Sequence, residues 1–540
     1  MKKSIFAYFI AILGAILFAY VELPVLRPDF TSFYVVLIGF FLIAGALCVD
    51  KNDLLSIPKI AKFNFVIAAI LGVFVTVVPF IVSAPILHAD AYRNLIGPVV
   101  ESDFTSDINP VSLDDIRLVD KETAMRLGDK KIGEVPGLGS ISKLGEFHIQ
   151  SVDGQLYWVA PLVHRDLIKW VTNLEGTTGY IKVSATNPQD VFFVQAIGEE
   201  PVKIVYQPDA YLHQDLARHL YTRGFVNVGL TDFTFEIDDA GIPHWVVSLY
   251  DHKVGFSGAD AIGIATVNAS TGEVQSYSIE EAPSWIDRIQ PVSFVENQLS
   301  DWGLYVNGFL NSRIAEEGVL VPTPGTSLVY GEDGKSYWYT GMTSSGADES
   351  TIGFMLVDTR TKESRLYKQP GATEIAAMRS AEGKVQEKGY TATFPVMYNI
   401  FGNPTYVMSL KDKAGLIKMV SFVSVEDFSL LGLGDTKQDA LRSYKEALSS
   451  QGNSVNISSN TDVKETTGTI TRFSADVQNG NTYYYFTLDT LPQIAFVVTS
   501  SISREVPLTQ TGDKVSITYD NYGNDNTDVL TFDNMLLNVN

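Results

Sequence analysis

The stretch Val152-Asp153-Gly154-Gln155-Leu156-Tyr157-Trp158 places a glycine turn four residues ahead of an aromatic, inside a run of alternating apolar residues. An Asp-Gly pair between two such runs is a strong hairpin signal. The pattern returns as Ala240-Gly241-Ile242-Pro243-His244-Trp245, as Asp333-Gly334-Lys335-Ser336-Tyr337-Trp338 and as Gly402-Asn403-Pro404-Thr405-Tyr406. A further apolar strand follows each copy: Gly179-Tyr180-Ile181-Lys182-Val183, Gly263-Ile264-Ala265-Thr266-Val267, Gly353-Phe354-Met355-Leu356-Val357 and Val420-Ser421-Phe422-Val423-Ser424-Val425. Echoes spaced by roughly 70 to 90 residues predict related sheet modules strung along the chain, not one fold around one cleft.

Ahead of the modules the composition changes. Residues 4–21, 31–49 and 64–87 are apolar runs close to the roughly 20 residues that cross a bilayer core. They predict a three-span membrane anchor over 1–87. Lys2 and Lys3 precede the first run, and Lys51, Lys59 and Lys62 lie between the second and third. The loop between the first and second runs holds only Arg27, beside Glu22 and Asp29. Basic residues mark the cytoplasmic side, so the N-terminus is expected inside and residues 88–540 outside. No clean small-x-small site follows the first run, which argues against a cleaved leader. Gly14 and Gly45 are candidates for close helix packing.

The 540 residues carry a net charge of −22 and a single cysteine, Cys48. The anchor is slightly basic, so the acidity belongs to the part after residue 87. Such a surface repels nucleic acid and favours basic or cation-bridged partners. An exterior domain of this size without cysteine fits a Gram-positive surface, or a phage of such a host, better than a disulfide-using compartment.

Residues 88–111 read as a stalk or linker. Ser112-Leu113-Asp114-Asp115 matches a helix start, with a helix expected over Leu113–Leu127 and a glycine-rich loop over Gly133–Gly145. Helices are also expected over Tyr211–Thr222, Thr373–Lys388 and Thr436–Ser449. The modules are expected at 112–205, 206–294, 295–371 and 372–452. Phe233-Thr234-Phe235-Glu236-Ile237-Asp238-Asp239-Ala240-Gly241 together with Thr271-Gly272-Glu273-Val274 resembles the PepSY type of domain, a helix followed by an antiparallel meander. The third copy departs from it, with Thr361-Lys362 where Thr-Gly is expected. The resemblance implies extracytoplasmic protein–protein contacts and control of wall hydrolases or proteases. It brings no catalytic residues. Residues 453–540 divide at glycine turns into five short strands and resemble an OB-type small barrel. Its excess of acids is the opposite of a single-strand nucleic-acid funnel.

The expected fold class is therefore α+β: three membrane helices, tandem helix-plus-antiparallel-sheet modules, and a C-terminal small β-barrel. No catalytic, cofactor or metal site is expected. His213 and His219 are six apart, off the i, i+4 face that two ligands need. His244 is expected on an exposed strand face. Ser140 and Ser142 have no positioned base, and Gly137/Gly139 and Gly432/Gly434 are turns without a dinucleotide-binding context. Asp238-Asp239 and Glu280-Glu281 are adjacent pairs, which a strand points to opposite faces. The oxygen-rich run Asp520–Asp528 lacks the glycine and glutamate of a calcium loop and reads as a long hairpin connection. Trp158, Trp245 and Trp338 are expected to pack helix onto sheet, with a carbohydrate-stacking ladder as the alternative. Trp170, Trp285 and Trp302 fall outside the repeat. The spans lack charged residues, against a transporter reading. The function expected is a non-enzymatic, membrane-anchored scaffold or adaptor of an envelope or phage-related assembly. Its partners are envelope proteins, with a cell-wall polymer as a further class and no nucleic acid. The alternative is a regulator of an extracytoplasmic peptidase or wall hydrolase.

Overall fold

A computed structural model describes residues 2–49, 57–108, 111–331, 334–344, 350–450, 463–478, 481–500, 502–520 and 526–537. The chain divides into two compact units, Met1–Asn453 and Ser454–Asn540.

The first unit opens with three helices, α1 (Lys2–Glu22), α2 (Thr31–Cys48) and α3 (Lys59–Val82). All three are long and apolar enough to cross a membrane. Gly45 allows the ring of Phe65 to approach, since a Cβ there would lie 2.9 Å from it. Lys51 and its loop lie outside the described residues. A short helix, α4 (Pro85–Arg93), follows α3.

Four antiparallel meanders come next. Strands His148–Val152, Gln155–His164, Tyr180–Ser184 and Val191–Val194 form the first. Gly229–Ile237, Pro243–Val254, Ser257–Asn268 and Val274–Tyr277 form the second. Ser327–Tyr330, Ser336–Ser344, Gly353–Asp358 and Ser364–Tyr367 form the third. Val396–Ile400, Asn403–Lys411, Ile417–Ser424 and Leu431–Gly434 form the fourth. Each has a helix ahead of it: Lys121–Gly133, Leu216–Thr222, Val292–Leu304 and Glu374–Lys384. The fourth is closed by the helix Lys437–Ser450. Val99–Ser102, in the segment expected as a linker, adds a parallel strand beside Ser364–Tyr367.

The register carries the repeat. Trp158, Trp245, Trp338 and Tyr406 stand on the second strand of their sheets, opposite Ile149, Phe235, Leu328 and Met397 on one side. On the other side they face Val183, Val267, Val357 and Val423. Gly154, Gly241, Gly334 and Gly402 all have positive φ at the turn before the aromatic. Side chains alternate across a strand, so each sheet can bury both faces. Trp158 and Val183 share a core with Trp338 and Val357, while Val159 and Tyr180 pack with Phe235 and Trp245. Tyr339 and Phe354 face Tyr406 and Val423. The first sheet is thus packed between the second and third, and the third between the first and fourth.

Several local expectations are corrected. Ser112 does cap a turn, accepting from the Asp114 amide at 3.4 Å, but that turn is a single 3₁₀ turn over Leu113–Asp115. The helix expected at Leu113–Leu127 starts instead at Lys121, where Asp120 accepts from the Thr123 amide at 3.2 Å. Residues 116–120 stay extended because Leu118 and Val119 are hydrogen-bonded to the first sheet. The expected Gly133–Gly145 loop holds a short helix, Leu138–Ile141, and a strand, Ser142–Leu144. The Tyr211–Thr222 helix is a 3₁₀ turn (Leu212–Gln214) and a helix recapped by Asp215. Helix Val292–Leu304 was not foreseen, because its cap residue is Pro291 with no side-chain acceptor.

The second unit is a closed five-stranded barrel. Its strands are Val463–Gln478, Asn481–Leu488, Ala495–Thr499, Lys514–Asp520 and Asn526–Asn534. The first pairs with the second and fourth, and the third pairs in parallel with the fifth. This is OB-like connectivity, with Phe486, Phe496 and Ile517 buried inside.

Candidate functional site

Each module aromatic closes the same local constellation. The indole N–H of Trp158 donates to the Val119 carbonyl at 2.7 Å, that of Trp245 to Tyr206 at 2.8 Å, and that of Trp338 to Gln290 at 2.9 Å. The Tyr406 hydroxyl donates to Ala372 at 3.2 Å. Each acceptor lies just ahead of its module's helical segment. The same backbone segments donate to the carbonyls of Ala185, Ala269, Thr359 and Val425, two residues beyond the aromatic's strand partner. Those four residues in turn donate to Leu156, Pro243, Ser336 and Pro404, two residues before the aromatic. The turn after the third strand is also side-chain capped in all four copies. Ser184, Asn268, Asp358 and Ser424 each accept from the amide three residues on. The tryptophans are buried in these clamps, which leaves no indole face for a sugar to stack upon.

Between modules, buried polar side chains act as joints. Gln150 of the first module donates to the Ile237 carbonyl at 2.6 Å and accepts from the Ile237 amide at 2.9 Å. Glu236 accepts from Thr234 at 2.9 Å and from the Asp287 amide at 3.3 Å. Asp287 in turn accepts from the Ser151 amide at 2.7 Å and the Tyr330 hydroxyl at 2.8 Å. Three modules therefore meet on two carboxylates. Burial pushes Glu236 up to about 7 and Asp287 up to about 6, against the pull of nearby Arg288. Burial also holds His148 well below the usual histidine range. Both carboxylates are buried, so the cluster is placed to hold modules together and not to meet a substrate.

The anchor is joined to the second module. The Leu26 amide donates to Val226 at 2.7 Å, and the Tyr221 hydroxyl donates to the Pro24 carbonyl at 2.8 Å. Arg27 bridges Asp29 at 2.7 Å and Asp251 at 3.5 Å. Phe30 is buried with its ring stacked 4.3 Å from that of His252, whose Nδ1 lies 3.0 Å from the Asp29 carbonyl. At the far end of the hairpin, the Phe256 amide donates to Ser83 at 2.8 Å, beyond the end of α3. The α1–α2 connection and the exit from α3 thus lie on one side, with the modules.

A cleft of about 440 Å³ lies between the first module's helix and the Gly415–Lys418 turn of the fourth. Arg126, Lys130, Lys131 and Lys418 line it, with Glu134 and apolar Leu127, Val191, Leu416 and Ile417. Arg126 bonds the Ala414 carbonyl and Glu122, while Lys131 pairs with Glu134 at 3.0 Å and Lys418 with Asp412 at 3.5 Å. Lys130 is exposed. Four cations around one concavity stand out in a chain of net charge −22. The sequence hid this cleft because its two walls are nearly three hundred residues apart.

The remaining residues weighed from sequence fall in structural roles. His219 is buried, with Nε2 2.8 Å from the Gly272 carbonyl and its ring 4.3 Å from Tyr206; His213 sits on the separate 3₁₀ turn. His244 is not on an exposed face: it is half-buried, 5.0 Å from the Trp285 ring and 3.3 Å from Asp238. Asp238 accepts from the Ala240 and Ile242 amides as a turn residue, and Glu281 bonds Ser278. Ser140 bonds the Gly137 carbonyl. Trp170 donates to Gln214 at 2.6 Å. Among the described residues there is no group of three or more His, Cys, Asp or Glu side chains placed to hold a metal. Most of the run Asp520–Asp528 lies outside the described residues.

No protein-family model matches the chain, and no curated protein matches it by sequence. Solved structures give distant likenesses. An endo-1,4-beta-xylanase from Bacteroides thetaiotaomicron is 12% identical over 54% of this chain and 76% of its own, with a TM-score of 0.16. A Trypanosoma rangeli sialidase is 10% identical over 72% and 53%, with a TM-score of 0.19. A B. megaterium levansucrase is 9% identical over 78% and 97%, with a TM-score of 0.18. Likenesses at these scores carry no argument about fold or activity.

Proposed function

We propose that this chain is a non-enzymatic, membrane-anchored extracytoplasmic scaffold or adaptor of an envelope or phage-related assembly, built from PepSY-like modules. The observation that carries the reading is the joint between anchor and modules. Leu26, Arg27, Phe30 and Ser83 tie both outer ends of the helix bundle to one sheet, so load on the modules passes to the anchor without a flexible stalk. The buried polar groups support it as well: Gln150, Glu236 and Asp287 face neighbouring modules, and polar side chains that converge in an open pocket are what an enzyme needs.

The basic cleft is the place where an acidic segment of a protein partner docks, since its cations and apolar floor suit an amphipathic acidic peptide. A photo-crosslinking residue at Lys130, in native membranes of the producing cell, tests this. Capture of a structural envelope or virion protein at Lys130, and not at exposed Ile375, supports the scaffold reading. Capture of a peptidase or wall hydrolase supports the regulator instead, and hydrolysis of wall fragments or peptides by the purified chain would overturn both.

A further inference from the structure

Two exposed apolar patches flank the outer ends of the helix bundle, and they come from segments far apart in sequence. The first joins Leu167, Ile168, Val171 and Leu174 to Tyr211 and Leu212. Ile168 is 71% exposed and Leu212 56%. Their place is fixed by Arg218, whose Nε donates to the Tyr20 carbonyl in the last turn of α1 at 2.9 Å. Its Nη1 donates to the Leu212 carbonyl at 3.2 Å. Gln214 then ties this turn to Trp170 at 2.6 Å and to the Leu174 carbonyl at 2.8 Å. The second patch joins Ile86 and Leu87, just past α3, to Leu310 and Ile314, which are 66% and 79% exposed. Tyr305 links the two halves, with its ring 6.5 Å from Tyr92 and 6.3 Å from Phe309.

The level of these patches relative to the helices can be read from Phe256, at the tip of the second module's long hairpin. Its ring lies 6.1 Å from Tyr34, in the first turn of α2, and 6.5 Å from Phe74. Phe74 is eight residues before the end of α3, about 12 Å along the axis at 1.5 Å per residue. If the helices span a bilayer, this tip already reaches the outer edge of its hydrocarbon. The Arg218 link to Tyr20 and the short step from Val82 to Ile86 then put the two patches near the level at which α1 and α3 leave the hydrocarbon.

We infer that the modules rest on the membrane through these two patches, which insert among the lipids of the outer leaflet as a monotopic protein does, in addition to the three spans. The occupant is the lipid surface because the patches are continuous with α1 and α3. Large apolar side chains left in water this close to a hydrocarbon phase lower their free energy by entering it. Tyr20 and Tyr211, both partly exposed beside the first patch, suit the aromatic belt found at that depth. This inference rests on the reading of the three helices as membrane spans, and its test separates the two.

The test uses the full chain with Cys48→Ala, reconstituted in vesicles of phosphatidylcholine and phosphatidylglycerol. Single cysteines at Ile168, Leu212, Leu310 and Ile314 carry an environment-sensitive fluorophore. Exposed Val73 in α3 and exposed Phe428 in the fourth module serve as lipid and water references. Each labelled position is on the surface, and Cys48→Ala, the one buried change, is common to all the variants. The expected result is that labels at all four sites are quenched by nitroxides on the upper acyl chain, and are shielded several-fold from a water-soluble quencher relative to Phe428. Val73 should be quenched by nitroxides placed deeper. If Val73 meets lipid while the four sites behave like Phe428, the patches are free surface and the inference fails with the spans intact. Four sites shielded from both quenchers would mean that protein covers them, either a second copy or a partner, which also overturns it. A Val73 label open to water overturns the spans and the inference together.

Discussion

Trp338 commits its one polar atom to the Gln290 carbonyl, and its ring to the core shared by the first and third modules. Trp338→Phe keeps one six-membered ring in the core but removes the pyrrole half and leaves that buried carbonyl without its donor. We predict a loss of about 1–3 kcal/mol, the cost of an unpaired buried polar group, read as a lower urea midpoint of the detergent-solubilised chain. Trp158→Phe should behave alike, because the constellation is the same; an unchanged midpoint in both would show that the clamp is incidental. Glu236 makes a prediction with a sign. Its folded-state value of about 7 lies above the ordinary 4.5, because burial disfavours the charge. The folded chain therefore holds a proton that the unfolded chain releases. That stabilisation is complete below about 4.5 and is lost as pH rises through about 7. Asp287, raised to about 6, acts in the same direction. The melting temperature should thus rise on acidification from pH 7.5 towards 5.5, and Glu236→Gln should raise it at pH 7.5 and flatten the dependence. An unaltered pH profile in the Gln variant would remove Glu236 from the joint.

At the scale of elements, the module is a helix and a four-stranded meander, and its most constrained points are glycines. Gly179, Gly263 and Gly353 stand four residues before the partner of the module aromatic. A Cβ on Gly353 would lie 2.1 Å from the Tyr367 carbonyl on the next strand. Gly353→Ala must therefore part the last two strands of the third sheet, and a loss above about 3 kcal/mol is expected, in the range of the most damaging single changes. Gly334→Ala meets no atom within 4 Å and pays only for its positive φ of 73°, roughly 1–2 kcal/mol. Thermal unfolding of the two variants side by side checks the contrast. These strands were legible because turn glycines and alternating apolar residues are local signals. The Ser112 helix start misled because a cap is only a local preference, and tertiary hydrogen bonds to Ala185 kept residues 118 and 119 extended. The joints were not legible at all. Gln150, Glu236 and Asp287 look like ordinary polar residues until the fold brings three modules around them, and the cations of the cleft meet only when the first and fourth modules do.

For the whole molecule, the joint between the helix bundle and the modules is what favours the proposed scaffold over a tethered string. Phe30→Ala should open it. The ring is buried against Tyr250 and His252, so its removal leaves a cavity beneath the Leu23–Phe30 loop at a local cost of about 3–5 kcal/mol. Hydrogen exchange at the Leu26 amide, bonded to Val226, should accelerate while the amides of Trp245 and Val247 stay protected. Equal acceleration at all of them would mean that the loop is part of the module's own core and not a separable joint.

The proposed scaffold requires the modules to lie outside the membrane, with the N-terminus within. The most direct test is protease added to intact producing cells stripped of their wall, with one epitope inserted between Asp50 and Phe63 and another after Asn453. The outer epitope and most of the mass after Leu87 should be lost, while the inner epitope stays on a protected membrane fragment. Cleavage at the inner epitope with the modules left whole would contradict it.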